Sequence, residues 1–113
     1  MKALNHYKQG NYRKAAKLYT KLLDILRSTV GEEDPNALRA MNDLANSYAS
    51  QGKYAEAEAL FKQCLDKRIA VIGENHPDTL STMHNLAATY NNQGKYDEAE
   101  VLYNQCLDKR KVV

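Results

Sequence analysis

The chain repeats itself at a fixed interval of 42 residues, and this periodicity limits the folds open to it more than any other feature. The segments that begin at Gln9, Gln51 and Gln93 read Gln-Gly-Asn-Tyr, Gln-Gly-Lys-Tyr and Gln-Gly-Lys-Tyr. Residues 51–68 and 93–110 are identical at 14 of 18 aligned positions. Chance does not place so many matches in one register, so the sequence predicts a repeat protein.

Each unit has the pattern of two helices. In the second unit we expect a first helix over about 35–51 and a second over about 54–72. Asp34 is a good N-cap for the first, Pro35 suits its first turn, and Gly73 suits the C-cap of the second. The loops between helices are short, so successive helices are expected to be antiparallel neighbours. The apolar positions that share one helical face are Leu38, Met41, Leu44, Ala45 and Tyr48, then Tyr54, Ala57, Leu60, Phe61, Cys64, Leu65 and Ile72.

The third unit follows the same plan, whereas the first is cut short. Its apolar positions are Leu80, Met83, Leu86, Ala87 and Tyr90, then Tyr96, Ala99, Leu102, Tyr103, Cys106 and Leu107. In the first unit we expect only a stub of the first helix, over about 2–9, and a complete second helix over about 12–30. The prediction is about six helices in one continuous domain. Its parts are a truncated first repeat over 1–34 (helix stub plus second helix), a second repeat over 35–76 and a third over 77–113.

Composition places the chain among soluble proteins of a reducing compartment. The hydrophobic fraction of 43% and the charged fraction of 27% are ordinary for a globular protein. No apolar run is long enough to span a bilayer, and the polar first ten residues do not have the pattern of a signal peptide. Two cysteines are too few for a secreted disulfide framework. We therefore expect a cytoplasmic location and no membrane association.

The charge is unevenly distributed along the chain. Residues 1–30 carry seven basic side chains and one acidic one, whereas the remainder carries nine basic and thirteen acidic side chains. The ordinary interpretation is a solvated face of one helix, and the alternative is attraction to acidic partners or between copies. The basic row Lys14, Lys17 and Lys21 lacks aromatic platforms, because Tyr12 and Tyr19 belong to the apolar side. The pattern therefore disfavours nucleic-acid binding.

The residues resemble the tetratricopeptide repeat (TPR) family. The matching segments are Met41-x₂-Leu44-Ala45-x₂-Tyr48 with Ala57-x₃-Phe61, and Met83-x₂-Leu86-Ala87-x₂-Tyr90 with Ala99-x₃-Tyr103. Methionine stands for the family's tryptophan and alanine for its glycine. The 42-residue period and the loop Gly73-Glu74-Asn75-His76-Pro77 are similar to kinesin light chain repeats. The resemblance implies an all-α, right-handed α-solenoid of antiparallel helix pairs, whose concave groove binds a peptide or a partner helix along the first helix of each repeat.

Polar positions on the two first helices are the candidate partner-binding residues. We expect the following to be exposed in the groove: Arg39, Asn42, Asp43, Asn46, Ala49, Ser50, Ser81, His84, Asn85, Ala88, Asn91 and Asn92. Amide side chains both donate and accept hydrogen bonds, so they can hold an extended peptide backbone. The alternative is that asparagine is merely tolerated on a solvent face. Arg39 is the one cation in the set, and Ala88 occupies the position in the third unit that is equivalent to Asn46 in the second. A site that binds a carboxylate would need paired cations and asparagines, so this pattern argues against one.

The sequence does not predict an enzyme. It contains no phosphate-binding glycine loop, no nucleophile elbow and no H-E-x-x-H zinc motif, so we expect no catalysis, cofactor or metal. Cys64 and Cys106 occupy equivalent positions on second helices, which favours core packing over a disulfide or zinc site. His76 is expected to have a turn or capping role, and His84 is a candidate for ligand contact.

Self-association is the alternative function. A solenoid usually needs about three units and capped ends, and here the first unit is truncated and no polar helix follows the last. Ala15, Leu18, Tyr19 and Leu22 would therefore lack part of their cover. Either the chain is a natural or engineered fragment of a longer array, or copies associate through their uncapped ends into a homo-oligomer.

Overall fold

The computed structural model describes residues 2–112, with side chains described over 11–109, and in this part of the chain all regular structure is α-helical. The five helices are α1 Lys2–Thr29, α2 Pro35–Ser50, α3 Tyr54–Ile72, α4 Pro77–Asn92 and α5 Tyr96–Val112. Each helix packs against the next one in the chain. The short connections make these neighbours antiparallel. The predicted all-α class is confirmed, and the predicted span of α3 agrees with the observed one.

Side-chain caps define where α2 and α4 begin. Asp34 Oδ1 accepts a hydrogen bond from the backbone N–H of Asn36 at 2.9 Å. His76 Nδ1 accepts one from the backbone N–H of Asp78 at 3.0 Å. Each cap satisfies a backbone donor that the first helical turn leaves without a partner. The predicted N-cap at Asp34 and the predicted capping role of His76 are both confirmed.

Glycine ends α3 as predicted. Gly73 has a φ of 93°, a region that residues with a Cβ rarely adopt, and its N–H donates to the carbonyls of Arg68 and Ile69 at 3.2 and 3.1 Å. The chain can therefore leave α3 and turn back along it as α4.

The first two predicted helices are a single one. α1 runs without interruption from Lys2 to Thr29, so the described chain has five helices where about six were expected. Glycine inside a helix costs only about 1 kcal/mol, so Gly10 does not by itself end α1. A turn at this position would break backbone hydrogen bonds of the helix, and an eight-residue stub could recover little packing in return. The prediction that α1 is interrupted near Gly10 is therefore wrong.

The predicted apolar stripes form two adjoining core clusters. The first is Ala16, Leu23, Ala37, Leu38, Ala40, Met41, Leu44 and Cys64, and the second is Ala45, Ala57, Phe61, Leu65, Leu80, Met83, Leu86 and Cys106. Full burial of one large apolar side chain stabilises the fold by about 1.5–3 kcal/mol, so these clusters dominate its stability. Tyr96 and Leu107 were expected on the same apolar side, but they are 66% and 52% exposed. Within the described residues no helix packs on that side of α5.

The helices are arranged in two layers. α2 and α4 contact each other directly, whereas no such contact joins α3 to α5 within residues 2–112. α1, α3 and α5 therefore form one layer and α2 and α4 the other, and within residues 2–112 direct contact between helices of one layer occurs between α2 and α4. The resemblance implies a groove along this layer of α2 and α4.

Candidate functional site

Most of the predicted groove residues form an accessible polar surface on α2 and α4. The exposed ones are Arg39, Asn46, Ser50, Ser81, His84, Asn91 and Asn92, and the half-buried ones are Asp43, Ala49, Asn85 and Ala88. Positions 39, 43, 46 and 50 follow one another at spacings of three and four, as do their equivalents 81, 85, 88 and 92. Such spacing puts each set on one helical face. The structure thus brings the two sets onto adjacent helices.

Asn42 is the exception, and the expectation that it is exposed is wrong. Its side chain is only 8% exposed, and its Oδ1 accepts a hydrogen bond from Thr82 Oγ1 at 3.1 Å. α4 packs against α2 at this point, so Asn42 belongs to the joint between the two helices. The equivalent residue on α4, His84, remains exposed and meets the ring of Tyr103 edge-on, with centroids 5.4 Å apart.

The charged pair of the surface is Arg39 and Asp43. Arg39 Nε lies 4.0 Å from Asp43 Oδ2, one helical turn away. Burial raises the pKa of the Asp43 carboxyl above its ordinary value, although the positive charges of Arg39 and Arg68 act in the opposite direction. The carboxylate is therefore held in a partly desolvated position, where a hydrogen-bond donor from a partner would be favourable.

A buried cation beneath this surface was missed from the sequence. Arg68 on α3 donates through Nη1 to Thr82 Oγ1 at 2.7 Å and to the backbone oxygen of Asp78 at 2.9 Å. Thr82 in turn donates to Asn42, so one polar network joins α2, α3 and α4. The signal was present in the repeat itself, because the equivalents of Arg68 and Thr82 one unit earlier are the apolar Leu26 and Ala40.

The cysteines are structural, as predicted. Both are free and buried, and their thiols point to equivalent carbonyls. Cys64 Sγ lies 3.4 Å from the oxygen of Leu38, and Cys106 Sγ lies 3.6 Å from that of Leu80. Burial raises the pKa of the Cys64 thiol, while Arg68 and a hydrogen bond to Thr82 act against this rise. No cluster of three or more potential metal ligands occurs among the residues that the structure describes.

The polar surface of α2 borders a shallow cleft between α1 and α2. Apolar side chains of α1 form one wall and polar side chains of α2 the other. The lining residues are Tyr19, Leu22, Leu26, Asn36, Arg39, Ala40 and Asp43. The cleft therefore offers apolar contact beside an exposed guanidinium.

Antiparallel helix pairs with a polar inner surface define a helical repeat solenoid. A tetratricopeptide repeat profile matches residues 2–70 and 44–111, which together cover nearly the whole chain. The chain belongs to the tetratricopeptide repeat family. Proteins of this fold generally bind other proteins and are typically non-enzymatic scaffolds.

Solved structures agree with this assignment. The crystal structure of a kinesin light chain-like protein with nearly identical TPR-like repeats from Podosopora anserina has a TM-score of 0.84 and 27% identity, covering 96% of this chain and 53% of that one. A single-substitution variant of that protein has the same score and identity, covering 96% and 52%. BtubC (BKLC) from P. vanneervenii has a TM-score of 0.87 and 26% identity, covering 97% and 44%. The chain thus spans about half the length of these relatives. No curated protein sequence matches it significantly.

The described helices do not have the character of a membrane span. None of them combines the length and the continuous apolar surface that crossing a bilayer requires.

Proposed function

We propose that the chain is a protein-interaction module that binds a peptide or a partner helix across α2 and α4. The observation that carries this proposal is the polar strip formed by the exposed faces of these two adjacent helices. A ligand lying across both helices would contact side chains from two repeat units. The interaction would depend on the stacking of the units as well as on individual residues.

The chemistry of the strip suits a peptide backbone. Asn46 on α2 and Asn85 on α4 each carry an amide that donates and accepts, and Ser50 and Ser81 add hydroxyl groups. Arg39 supplies a charged donor for a backbone carbonyl of the peptide. We propose that the remaining groove residues, including Asn91 and Asn92, border the ligand, and that Asn42 supports the groove from below.

The likeness to kinesin light chain repeats supports interaction as the function. We propose no catalytic role for the chain. It can be tested with peptides selected against the protein from a random-peptide display library.

The decisive variant is the double substitution Asn46→Ala and Asn85→Ala. Loss of about two hydrogen bonds should weaken binding of the selected peptides roughly tenfold or more. The matched control is Asn75→Ala with Asn104→Ala, which removes two exposed amides outside the groove. Unchanged affinity in the groove variant, or an equal loss in the control, would contradict the proposal.

A second candidate function is self-association, favoured by the exposed apolar surface on α1 and α5. Leu18 and Ile25 on α1 are 66% and 58% exposed, and Tyr96 and Leu107 are exposed on α5. Of the four α1 residues expected to lack part of their cover, Leu18 and Leu22 are exposed, whereas Ala15 and Tyr19 are half-buried. Light scattering over a wide concentration range tests this function, and a constant monomer mass would exclude it.

A further inference from the structure

The exposed apolar residues of α1 form a continuous strip. Leu18, Leu22 and Ile25 follow one another at spacings of four and three residues, so they lie on one face of the helix. Lys14 precedes Leu18 by one helical turn, and Lys21 lies between Leu18 and Ile25. Both lysines are exposed, and none of the ion pairs among residues 11–109 involves them. The α1 strip is therefore apolar with a basic border.

The repeat shows what this face normally contacts. The α3 residues equivalent to Leu22 and Ile25 are Cys64 and Lys67. Cys64 is buried against the carbonyl of Leu38 on α2, and Lys67 bonds to Glu32 in the loop before α2. In α1 the cysteine is replaced by leucine and the lysine by isoleucine. Position 25 thus has an apolar side chain where the other units have an ion pair, which favours an apolar contact.

A second strip lies on α5 and has the opposite charge. Tyr96, Tyr103 and Leu107 share one face, and Glu100 stands four residues after Tyr96 and three before Tyr103. Tyr96 and Leu107 are exposed and Tyr103 is half-buried. The α5 strip is therefore apolar with an acidic border, to which the exposed Asp97 and Asp108 also contribute.

The equivalent face of α3 again shows what the α5 strip lacks. Phe61 and Leu65, the equivalents of Tyr103 and Leu107, are buried in the core cluster that includes α4 residues. Glu58, the equivalent of Glu100, binds Lys95 and Lys62, each at 3.0 Å. Burial raises the pKa of Glu58, but the hydrogen bonds from Lys95 and Lys62 outweigh it and the pKa is lowered. Glu100 has no such cation among residues 11–109. By comparison with α3, the α5 strip therefore lacks both an apolar surface packed on it and a cation beside Glu100.

We propose that the α1 strip of one copy packs against the α5 strip of a second copy. In this contact Lys21 of the first copy pairs with Glu100 of the second, as Lys95 pairs with Glu58 within one chain. This inference rests on the second candidate function, self-association, and names its contact. The opposite charges of the two borders favour packing of the α1 strip against the α5 strip. Packing of two α1 strips would bring lysines together, and packing of two α5 strips would bring carboxylates together. The contact joins different surfaces of the two copies, so repetition produces a ring or an open chain of copies.

A charge-reversal experiment tests the contact. Lys21→Glu and Glu100→Lys should each weaken self-association at least about tenfold, measured by light scattering and sedimentation. Mixing the two variants in equal amounts should restore association, because Glu100 of the first variant meets Lys21 of the second and the two substituted side chains also have opposite charges. The double variant Lys21→Glu/Glu100→Lys should associate by itself. Raising the salt concentration should weaken the native contact, since the charged border is solvent-accessible.

Matched controls separate the contact from a general effect of net charge. Arg13→Glu on α1 and Glu98→Lys on α5 make the same charge changes at exposed positions outside the strips and should leave association unchanged. Leu18→Ser should weaken it, whereas Val101→Ser, an exposed α5 position off the strip, should not.

Three results would overturn the inference. A native protein that stays monomeric at all concentrations would remove the contact and the second candidate function together. Association that persists in both single charge variants, or fails to recover in their mixture, would retain self-association but reject this contact. Equal losses in the Arg13 and Glu98 controls would also reject it. Binding of selected peptides is measured separately with the Asn46 and Asn85 variant, so failure here leaves the groove proposal intact.

Discussion

Arg68 on α3 donates a hydrogen bond to Thr82 on α4, with 2.7 Å between Nη1 and Oγ1, and this contact is buried at the joint between two repeat units. A guanidinium in such a place is stable only when its donors have partners. Thr82 passes the interaction on to Asn42, so the joint is polar where the preceding one is apolar. The two joints of this array therefore differ in physical character although the units are similar in sequence.

We expect Arg68→Ala to lower the free energy of unfolding by about 2–4 kcal/mol, because it removes buried charge-assisted hydrogen bonds and leaves a void. Lys67→Ala is the control, since its exposed ion pair with Glu32 should contribute less than about 1 kcal/mol. Urea unfolding measures both. A double-mutant cycle with Thr82→Ala should show coupling, and additive losses would mean that the Arg68–Thr82 contact contributes little.

Asp43→Asn is expected to stabilise the protein slightly near neutral pH. The pKa of Asp43 is raised in the folded state. As the pH rises above the ordinary value of 3.8, the carboxyl therefore ionises more readily in the unfolded chain, and the free energy of unfolding falls. The stabilisation should be absent near pH 3, where the carboxyl is largely protonated in the folded and the unfolded chain. Thermal unfolding of the variant and the native protein at the two pH values tests this sign. A variant that is less stable at neutral pH would show that the attraction of Arg39 and Arg68 outweighs desolvation.

His76→Ala should lower the free energy of unfolding by about 1 kcal/mol, the usual contribution of an N-cap. The imidazole Nδ1 satisfies the N–H of Asp78 at the start of α4, and alanine offers no acceptor. Asn75→Ala, one residue earlier in the same exposed loop, is the matched control and should have little effect. Equal stabilities for the two variants in chemical denaturation would refute the capping role.

Both thiols should react with Ellman's reagent only after the protein is unfolded. Cys64 and Cys106 are buried, and the pKa of Cys64 is raised by burial, so little thiolate is present and access is blocked. The rate of thiol release in native buffer and in guanidinium chloride provides the comparison. Rapid labelling of the native protein would indicate that α3 or α5 separates readily from its neighbours.

The fold could be derived from the sequence because its information is local and repeated. The apolar spacing of three and four, the Asp34 cap and the glycine at position 73 each indicate a helix or its end without reference to distant residues. Gly10 shows the limit of such signals. A glycine ends a helix only where a neighbouring element rewards the turn, and for α1 the structure has a continuous helix.

The groove could be derived only in part. Exposure of Arg39, Asn46 and His84 follows from their position on the face opposite the core. The same helical position, however, gives a buried Asn42 and an exposed His84, because a further first helix packs on α2 and none packs on α4 within the described chain. Which polar side chains a ligand can reach thus depends on neighbours that periodicity does not specify.

By itself the sequence determined the two complete helix pairs, their order and the family, since hydrophobic periodicity and capping act over a few residues and both complete units carry the same signals. Only the tertiary structure decided that α1 is one helix, that Arg68 enters the joint between units, and that Tyr96 and Leu107 on α5 remain exposed. Those outcomes depend on which surfaces meet when the helices stack, and burial is a property of the packed assembly of helices rather than of any one of them.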